Sequence, residues 1–478
     1  MHLIEQFLQF EEDNNLFNLS IYGIKFWSAV RFNIYNSIYK LRYKTESNHP
    51  SLNKTSIIKK IYFKIAQVNN FISKNPMWFL RQKDILVLNH SRRVFNGKSY
   101  ECIYTDELLK NLKWSYYVFE EPYYEKHFKK IETENIRYLD YVNFKAALKK
   151  IYFKLTKKYI FKEEQKKDIE KLINRINKEF DVSLNKEEIT SIIQNYILSY
   201  KAAYDYYLKI LNVVQPKVIL EVVSYGRSRY IINEIAKIKG IKVIELQHGA
   251  MGKYHVAYNF FKKRNISTFP DYIFTFGEYW NNVTRFPIDD SRIIATGFPY
   301  YDKKTIEYKN ENSIEEDKKI ILFISQGAIG KSLSKFACEL NKIIDKKNYR
   351  IIFKLHPSEY SRWKSEYLCL KESGIEVIDN NLKDIYYFLS KSYCQVGVSS
   401  TAIFEGLGFN LKTYIVKLPG YEYFEDLIRI GYVKLVDSAE AIVEDLNVAS
   451  YNVDYDSGKF YRKNSLFNIN NSIQSLID

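Results

Sequence analysis

The stretch IIFKLHPSEY, residues 351–360, joins an apolar, β-branched run to a histidine and a proline. The run has the length of a buried strand, and proline cannot donate a hydrogen bond to a sheet, so the strand should end at His356–Pro357. Either this pair is an ordinary strand terminator, or the imidazole faces a ligand beyond the end of the strand. The rest of the chain bears on that choice.

Short β-branched runs of the same kind recur along the chain and alternate with segments able to form helices. This alternation predicts βα units and parallel sheets. A charged, asparagine-rich stretch at 303–319 divides the predicted strands into two groups. They are DILVLN (84–89), SYYVFE (115–120), KVILEVV (217–223), IKVIEL (241–246), DYIFTF (271–276) and RIIAT (292–296), then IILFIS (320–325), RIIFKL (350–355), IEVI (375–378), CQVGV (394–398) and KTYIV (412–416).

We expect an α/β fold with two Rossmann-like domains in tandem. The chain has 478 residues, too many for one small core. A long, charged stretch at 140–212, nearly free of glycine and proline, indicates helices inserted into the first domain. The expected units are a helical segment 1–80, a first domain 81–302 with the insertion at about 140–212, a linker 303–319, a second domain 320–440, and a C-terminal tail 441–478 able to pack back on the first domain.

The formal net charge of +16 favours anionic partners such as phosphorylated substrates, anionic lipid or nucleic acid. No nucleic-acid-binding motif accompanies the charge, so nucleic acid is not expected and a basic nucleic-acid-binding protein is the non-enzyme alternative. The four cysteines form no CxxC pair, which predicts a reduced, cytosolic chain. We expect a cytoplasmic location, because the N-terminus lacks a signal-peptide core and no apolar run reaches the roughly 18 residues of a membrane span.

Ligands of Rossmann-like sheets bind at the carboxyl ends of the strands, so the residues directly after each strand are site candidates. In the second domain these are Ser325–Gln326–Gly327, His356–Pro357 and Ser399–Ser400–Thr401. The last group opens a predicted helix, where hydroxyls and free backbone N–H groups can hold a phosphate, and Glu405 follows about one turn later. The structural alternatives are a plain strand–helix turn, a helix cap and, for Glu405, a solvated face.

Two features of the first domain point to chemistry. Gln247–His248–Gly249 follow the strand IKVIEL. Glu221 lies inside the apolar run KVILEVV, where a carboxylate is costly unless it is paired or functional; Arg227 in the next loop is its expected partner if the role is structural. His248 and His255 have no acidic neighbour at metal-ligand spacing, so no metal site is expected.

These motifs follow one another in a fixed order. They are QHG at 247–249, GxPxxD at 297–302, SQG at 325–327, KLHP at 354–357 and VSSTAxxE at 398–405. The order resembles bacterial GT-B glycosyltransferases of capsule and surface-polysaccharide biosynthesis, and it is most similar to Kdo transferases and sialyltransferase-like enzymes. Teichoic-acid glycerophosphotransferases have a similar HP and Ser-Ser pattern. The resemblance covers about residues 84–435.

The resemblance implies an inverting, metal-independent glycosyltransferase without a cofactor. Its substrate would be an acidic sugar, either a sialic-acid-like nonulosonate or Kdo, carried by CMP. The acceptor would be a surface glycan or a lipid-linked glycan. Two enzyme alternatives remain: a CDP-glycerol-type glycerophosphotransferase, and a UDP-sugar-dependent GT-B transferase or epimerase.

The resemblance also assigns the donor site to the second domain. His356, beside Pro357, would contact the donor phosphate, and Glu405 would bind the ribose. The loop residues Ser325, Gln326 and Gly327 and the helix start Ser399, Ser400 and Thr401 would complete the site. By this resemblance a phosphate of CMP would then lie in front of the imidazole.

In the resembling family the general base is an aspartate or glutamate of the first domain, and it removes the proton of the acceptor hydroxyl. Glu221 is the preferred candidate, Asp106 the second and His248 the third, and His356 completes the set of catalytic candidates. Basic or polar side chains near the first-domain strand ends would bind the acceptor. They are Arg92, Arg93, Lys98, Arg227 and Gln247.

The segment KAALKKIYFKLTKKYIFK, residues 145–162, contains seven lysines and no acid. Its apolar helical stripe consists of Leu148, Ile151, Tyr152, Leu155 and Tyr159. Such a helix either lies on anionic lipid or packs on the sheet with a solvated basic face. The stretch IIKKIYFK at 57–64 has the same character and favours peripheral membrane association.

Overall fold

The structure is a computed structural model that describes residues 2–43, 71–124, 126–310, 318–448 and 455–478. The basic stretch 57–64 lies outside the described residues, and so do residues 311–317 of the expected linker. Within the described ranges, no helix has the length and apolar character that crossing a membrane requires.

The first sheet has seven strands, and all of its pairings are parallel. The strands of this part of the chain, including two short hairpins, are β1 (Ser20–Ile21), β2 (Ile24–Lys25), β3 (Ile85–Leu88), β4 (Val94–Phe95), β5 (Tyr100–Glu101), β6 (Tyr116–Glu120), β7 (Ile136–Tyr138), β8 (Val218–Val222), β9 (Lys242–Leu246), β10 (Tyr272–Thr275) and β11 (Ile293–Ala295). The sheet order is β11-β10-β9-β8-β3-β6-β7. Every residue of β3 and β8 is buried, as expected for a parallel sheet covered on both faces.

The second sheet has six parallel strands. They are β12 (Lys319–Ile324), β13 (Tyr349–Lys354), β14 (Glu376–Ile378), β15 (Ser392–Gly397), β16 (Lys412–Val416) and β17 (Lys434–Val436). Their order is β14-β13-β12-β15-β16-β17. Both sheets therefore start in the middle, run to one edge and return to fill the other side, which is the Rossmann-type order. The order reverses between β3 and β8 in the first sheet and between β12 and β15 in the second.

Helices cover both sheets and form an additional layer on the first. They are α1 (Leu3–Asp13), α2 (Trp27–Tyr43), α3 (Asp106–Lys110), α4 (Asp140–Leu155), α5 (Glu163–Phe180), α6 (Lys186–Val214), α7 (Arg227–Ile238), α8 (Glu278–Val283), α9 (Pro299–Asn310), α10 (Gly330–Ile343), α11 (Trp363–Glu366), α12 (Leu368–Glu372), α13 (Ile385–Lys391), α14 (Thr401–Gly408), α15 (Glu425–Arg429), α16 (Ala439–Asn447) and α17 (Ser465–Ile477).

The N-terminal helices and the helices of the 140–212 stretch share one core. Phe7 and Trp27 pack with Ile173 and Ile197 in the same apolar cluster, which also reaches the first sheet. α4 ends at Leu155, and Tyr159 has a left-handed backbone and packs against Tyr22 and Phe153. The prediction that Tyr159 continues the apolar stripe of α4 is therefore wrong.

The C-terminal helix α17 packs on the first sheet. Ile469 and Ile473 share a core with the side chains of β3 and β8. Asp302 holds the start of α17, since it accepts hydrogen bonds from the backbone N–H and the hydroxyl of Ser465 at 2.8 and 2.6 Å. A methyl group at Gly297 would overlap the backbone of Arg462, so this position requires glycine. The GxPxxD motif thus anchors the C-terminal helix.

The predicted fold class, α/β with two Rossmann-like domains in the GT-B arrangement, is confirmed by the two parallel sheets. All the predicted strands are present, with ends within two residues of the predicted ones. The sequence did not predict the edge strands β7 and β17. The stretch expected to be a linker from 303 onward begins inside α9, because that helix continues to Asn310.

Candidate active site

The donor-site candidates of the second domain meet at one end of its sheet. β12 and β15 are neighbours where the strand order reverses, the position at which sheets of this type bind ligands. Gln326 follows β12, and its side-chain oxygen accepts a 2.8 Å hydrogen bond from the hydroxyl of Ser399, which follows β15. The two loops therefore form one continuous edge.

The turn after β13 packs against that edge. The Ser325 hydroxyl donates a hydrogen bond of 2.9 Å to Glu359, one turn beyond Pro357. Gly327 lies so close to this turn that an added methyl group would come within 2.8 Å of the Ser358 hydroxyl. The loops after β12, β13 and β15 thus lie side by side, and the predicted donor-site residues are brought together.

His356 presents a neutral imidazole at this edge. Its Nδ1 accepts a hydrogen bond of 3.2 Å from the backbone N–H of Ser358, and its own backbone N–H donates to Glu359 at 2.7 Å. Burial lowers the pKa of the imidazole, which favours the neutral form. Because Nδ1 is an acceptor, the ring proton lies on Nε2, where no described residue accepts it. Nε2–H is therefore available to a ligand.

The helix start after β15 faces the first domain. Ser400 caps α14 by accepting a hydrogen bond of 3.3 Å from the backbone N–H of Ala402. A methyl group built on Gly249 of the QHG motif would lie 3.9 Å from the Thr401 hydroxyl, so the two motifs meet across the domain boundary. Glu405 accepts a 3.0 Å hydrogen bond from Tyr386, and burial raises its pKa to about 7.

A second pair of residues shows the same approach of the two domains. Burial is the main cause of the lowered pKa of His356, and Arg92, in the loop after β3, lies near enough for its positive charge to lower that pKa further. Lys253 of the first domain lies 3.4 Å from Glu425 of the second. The carboxyl ends of the two sheets therefore face each other across a cleft.

His248 lies on the first-domain side of this cleft. Its Nε2 is 3.2 Å from the Tyr225 hydroxyl, and its Nδ1 is 3.5 Å from the Tyr258 hydroxyl and 4.0 Å from Glu245. Burial, with smaller contributions from His255 and His90, lowers the pKa of His248 to about 3. The imidazole is therefore unprotonated at neutral pH and able to accept a proton.

Gln247 fixes the loop that carries His248. Its amide group donates a hydrogen bond of 2.7 Å to the Gly249 carbonyl and accepts one of 2.7 Å from the Phe276 backbone. Because both ends of this buried side chain are satisfied within the first domain, the prediction that Gln247 binds the acceptor is not supported by its position. It is a positioning residue for the QHG loop.

The structure does not place Glu221, the preferred base candidate, in the cleft. The side chain is fully buried beneath α7 and accepts a 2.8 Å hydrogen bond from Asn233. Burial and the neighbouring Glu245 raise its pKa to about 8, so the carboxyl is largely protonated at neutral pH. The expected partner Arg227 is also wrong, since that residue is exposed and the arginine that acts on Glu221 is Arg229.

Asp106 and Arg93 are likewise structural. Asp106 accepts hydrogen bonds from the Cys102 backbone at 2.8 Å and from Thr133, and it forms an ion pair of 3.0 Å with Arg93. Arg93 is buried and also pairs with Glu120 at 2.7 Å. These groups join the loop after β3 to β6 and α3, and neither is available as a base or as an acceptor ligand.

The other acceptor-site candidates differ in position. Arg92 is exposed and near His356, as described above. Arg227 opens α7 and lines a cavity of the first domain. Lys98 is exposed between β4 and β5 and lies 3.7 Å from Glu132, which provides its charge with a surface partner. For Arg92, Lys98 and Arg227, acceptor binding stays a prediction.

Sequence reasoning missed an aromatic and imidazole group around His248. Tyr104 lies against His90, with ring centroids 5.5 Å apart, and against His248 at 6.4 Å. Tyr225 is the hydroxyl closest to His248 Nε2. His90 directly follows the first predicted strand, so its position after a strand end was a usable signal. Within the described ranges, no group of three His, Cys, Asp or Glu side chains is arranged to hold a metal ion.

The chain matches one protein family model and resembles several solved structures. The family is described as CDP-Glycerol:Poly(glycerophosphate) glycerophosphotransferase, and the match covers residues 143–390. No curated protein matches the chain. The matched range includes the QHG and KLHP loops and ends before Ser399.

Two of the similar solved structures are an epimerase and a polymerase. The UDP-GlcNAc 2-epimerase from Methanocaldococcus jannaschii is 12% identical, and the similarity covers 82% of this chain and 98% of that one with a TM-score of 0.47. The wall teichoic acid polymerase TagF is 13% identical, and the similarity covers 88% of this chain and 98% of that one with a TM-score of 0.43.

Proposed function

The chain belongs to the CDP-glycerol:poly(glycerophosphate) glycerophosphotransferase family, and from this we propose that it transfers glycerol phosphate from CDP-glycerol to a hydroxyl group of a glycerol phosphate polymer. The family match is the observation that carries the proposal. It supports a transferase of the GT-B type and favours the glycerophosphotransferase alternative over the main expectation from the sequence. Nothing in the comparisons supports a CMP-linked sialic acid or Kdo as the donor.

The proposed reaction is a displacement at phosphorus. The acceptor hydroxyl oxygen forms a bond to the β-phosphorus of CDP-glycerol, the bond from that phosphorus to the bridging oxygen breaks, and CMP leaves with the bridging oxygen. The hydroxyl proton must be removed as the new bond forms. The negative charge on the phosphate oxygens must be met by hydrogen-bond donors or cations.

His356 and the loops beside it are suited to hold the diphosphate. The Nε2–H of His356 supplies a hydrogen-bond donor at the edge of the second sheet. The start of α14 adds the hydroxyls of Ser400 and Thr401 and the positive end of a helix dipole. We propose that these groups bind the phosphates of CDP-glycerol and that Glu405, whose carboxyl lies one turn inside α14, faces the ribose.

We propose His248 as the base that accepts the hydroxyl proton. It is neutral in the free enzyme, and it lies beside the Gly249–Thr401 contact between the domains. A bound diphosphate would raise the pKa of His248, because a nearby negative charge favours the imidazolium. Glu245, at 4.0 Å from Nδ1, would stabilise the same charge.

A donor comparison tests the proposed function. The purified protein is incubated with a short glycerol phosphate oligomer and, separately, with CDP-glycerol, CMP-sialic acid, CMP-Kdo or a UDP-sugar. We expect CMP release and an oligomer longer by one glycerol phosphate unit with CDP-glycerol alone, measured by chromatography of the nucleotide and mass spectrometry of the product. Transfer from either CMP-sugar, with none from CDP-glycerol, would refute the proposal. It would support the expectation from the sequence that the protein transfers an acidic sugar from a CMP donor.

We also propose that α4 lies on an anionic membrane surface on the cytoplasmic side, where a lipid-linked acceptor would be available. The support is its exposed apolar side chains, among which Leu148, Ile151 and Leu155 are 46, 54 and 79% exposed. Lysines such as Lys145 and Lys154 lie on the same helix. Apolar side chains flanked by lysines are typical of helices that bind anionic lipid interfaces.

Vesicle binding checks this placement. We expect the double variant Leu148→Glu, Ile151→Glu to lower partitioning onto phosphatidylglycerol vesicles at least about tenfold, since two apolar contacts are lost and two negative charges are added. Ile238→Glu is the matched control, because Ile238 is also exposed (71%) but lies at the end of α7. Equal binding by the wild type and the double variant, or equal loss in the control, would contradict the placement.

A further inference from the structure

A cavity of about 470 Å³ lies at the carboxyl end of the first sheet. Its walls come from the loops after β3 and β8, from the start of α7, and from one face each of α4 and α6. β3 and β8 are the neighbours between which the strand order of the first sheet reverses. The cavity therefore occupies in the first domain the position that the donor-site candidates occupy in the second.

Three cationic side chains line this cavity, Lys150 from α4 and Arg227 and Arg229 from α7. Among the residues that the structure describes, no carboxylate lies within ion-pair distance of any of them. Lys150 donates a 3.0 Å hydrogen bond to the hydroxyl of Ser199, and burial together with the charge of Arg227 lowers its pKa. The one acidic group in the lining, Glu121, accepts a hydrogen bond from Ser228.

The start of α7 adds to the positive potential. Gly226 is its N-cap and provides no side-chain cap, so the first backbone N–H groups of this 12-residue helix stay without a side-chain acceptor. Helix N-termini favour acidic residues, yet the first turn of α7 has no acid and carries two arginines. This arrangement is unfavourable in the unliganded protein and becomes favourable when an anion binds.

Arg229 gives the strongest indication that this cavity binds an anion. The side chain is only 6% exposed, one of its guanidinium nitrogens donates 2.9 Å to the Asn89 carbonyl, and another is buried without a partner. Glu221 and Glu245 act on it electrostatically, and burial raises the pKa of Glu221 to about 8 and that of Glu245 to about 7. A buried guanidinium without a close counter-ion is costly, and a bound anion removes part of that cost.

The loop that forms this wall has an unusual backbone. Val223, directly after β8, has a φ of 65°, a left-handed conformation that is strained for a β-branched residue. It turns the chain so that Tyr225, which contacts His248, is followed by the start of α7 at the cavity wall. His90, another lining residue, contributes to the lowered pKa of His248. The cavity therefore adjoins the proposed base.

We propose that this cavity binds a phosphodiester group of the acceptor polymer and so positions the terminal hydroxyl near His248. The assignment rests on the proposed function for the identity of the polymer, while the anion site itself follows from the cations, the uncapped helix start and the position at the sheet. Lys150 and Arg227 contact the phosphate, and Arg229 supplies positive charge from beneath. A polymer of glycerol phosphate carries a suitable group in every unit.

Kinetics of the acceptor test the assignment. The variants Arg227→Gln and Lys150→Gln should each raise KM for a glycerol phosphate oligomer at least tenfold, with KM for CDP-glycerol changed less than twofold. Lys149→Gln is the matched control, since Lys149 neighbours Lys150 on α4 but pairs with Asp205 at 2.7 Å. Unchanged acceptor KM in both variants would overturn the assignment. A rise in KM for CDP-glycerol, with the acceptor KM unchanged, would indicate that the cavity binds the donor. That result would also overturn the assignment.

Binding without the donor separates this assignment from the proposed function. Calorimetry should show that a glycerol phosphate trimer binds the wild type, that triglycerol without phosphate binds at least tenfold more weakly, and that Arg227→Gln loses the preference. If the trimer binds in this way but CDP-glycerol is no donor, the cavity assignment stands and the proposed function fails. If CDP-glycerol is a donor and the trimer and triglycerol bind equally, the cavity assignment fails alone. A third outcome is that Arg227→Gln loses binding to phosphatidylglycerol vesicles but still binds the trimer. The cavity would then bind a lipid headgroup, and its assignment to the acceptor polymer would be overturned.

Discussion

Replacement of His356 by alanine is expected to lower kcat for glycerol phosphate transfer by about 10²–10³-fold, the usual cost of removing one hydrogen-bond donor that meets charge developing in the transition state. The donor is the Nε2–H of the neutral imidazole, whose tautomer follows from the hydrogen bond that Ser358 donates to Nδ1. The measurement is CMP release at saturating CDP-glycerol and acceptor.

His356 also caps the short helical turn that begins at Pro357. A second variant must therefore separate this structural role of His356 from its proposed role in catalysis. Asparagine is a good cap residue and can accept the Ser358 N–H in place of Nδ1, but it cannot reach as far as Nε2. We expect His356→Asn to melt at the same temperature as the wild type and to lose activity as His356→Ala does. His2→Ala is the control, because His2 is an exposed histidine of the N-terminal segment. Wild-type turnover in His356→Asn would remove the imidazole from the mechanism.

Replacement of His248 by asparagine should lower kcat by about 10²–10⁴-fold, the range for loss of a positioned general base, with KM for CDP-glycerol nearly unchanged. KM for CDP-glycerol should change little because His248 belongs to the first domain, on the opposite side of the cleft from the proposed phosphate site. Burial lowers its pKa to about 3, so the free enzyme keeps the base unprotonated as the pH falls from 8 to 5. His248 should therefore cause no loss of kcat/KM in that range.

Glu221→Gln is the matched control for this prediction. Glu221 is a first-domain acid that the sequence favoured as the base, yet it is buried beneath α7 and bonded to Asn233. Glutamine can keep that hydrogen bond, and we expect near wild-type kcat. If Glu221→Gln loses activity at constant melting temperature while His248→Asn retains it, the roles of the two residues are the reverse of those proposed.

The sequence predicted the two sheets because their strands are almost wholly apolar and β-branched, a composition that only a sheet buried on both faces requires. It missed β7 and β17, three-residue edge strands in which arginine or lysine interrupts the apolar pattern. Such strands are defined by their neighbours more than by their own residues. The part of α9 from residue 303 to its end was mistaken for a linker because most of its residues are polar.

The donor-site candidates could be predicted because each follows a strand end, and parallel strands bring their carboxyl ends together. The sequence could not show that Glu221, the preferred base candidate, is structural, because its partners come from elsewhere: Asn233 lies on the next helix and Glu245 on the next strand. Arg93 is similar, since Glu120 is 27 residues away in the chain. The motifs could not distinguish the two classes of donor, because a phosphate, the group that we propose the HP and Ser-Ser motifs bind, is present in both CMP-sugars and CDP-glycerol.

The C-terminal helix returns to the first domain after the chain has built the second, and the hydrogen bonds that Ser465 donates to Asp302 hold it there. The polypeptide thus crosses between the domains twice, once after α9 and once before α17. Two tethers restrict twisting of one domain against the other, while they still permit rotation about the line that joins them. Opening and closing of the cleft should therefore be a rotation of one domain about a single axis through the two crossings, and the angle of that rotation sets the separation of His248 from His356.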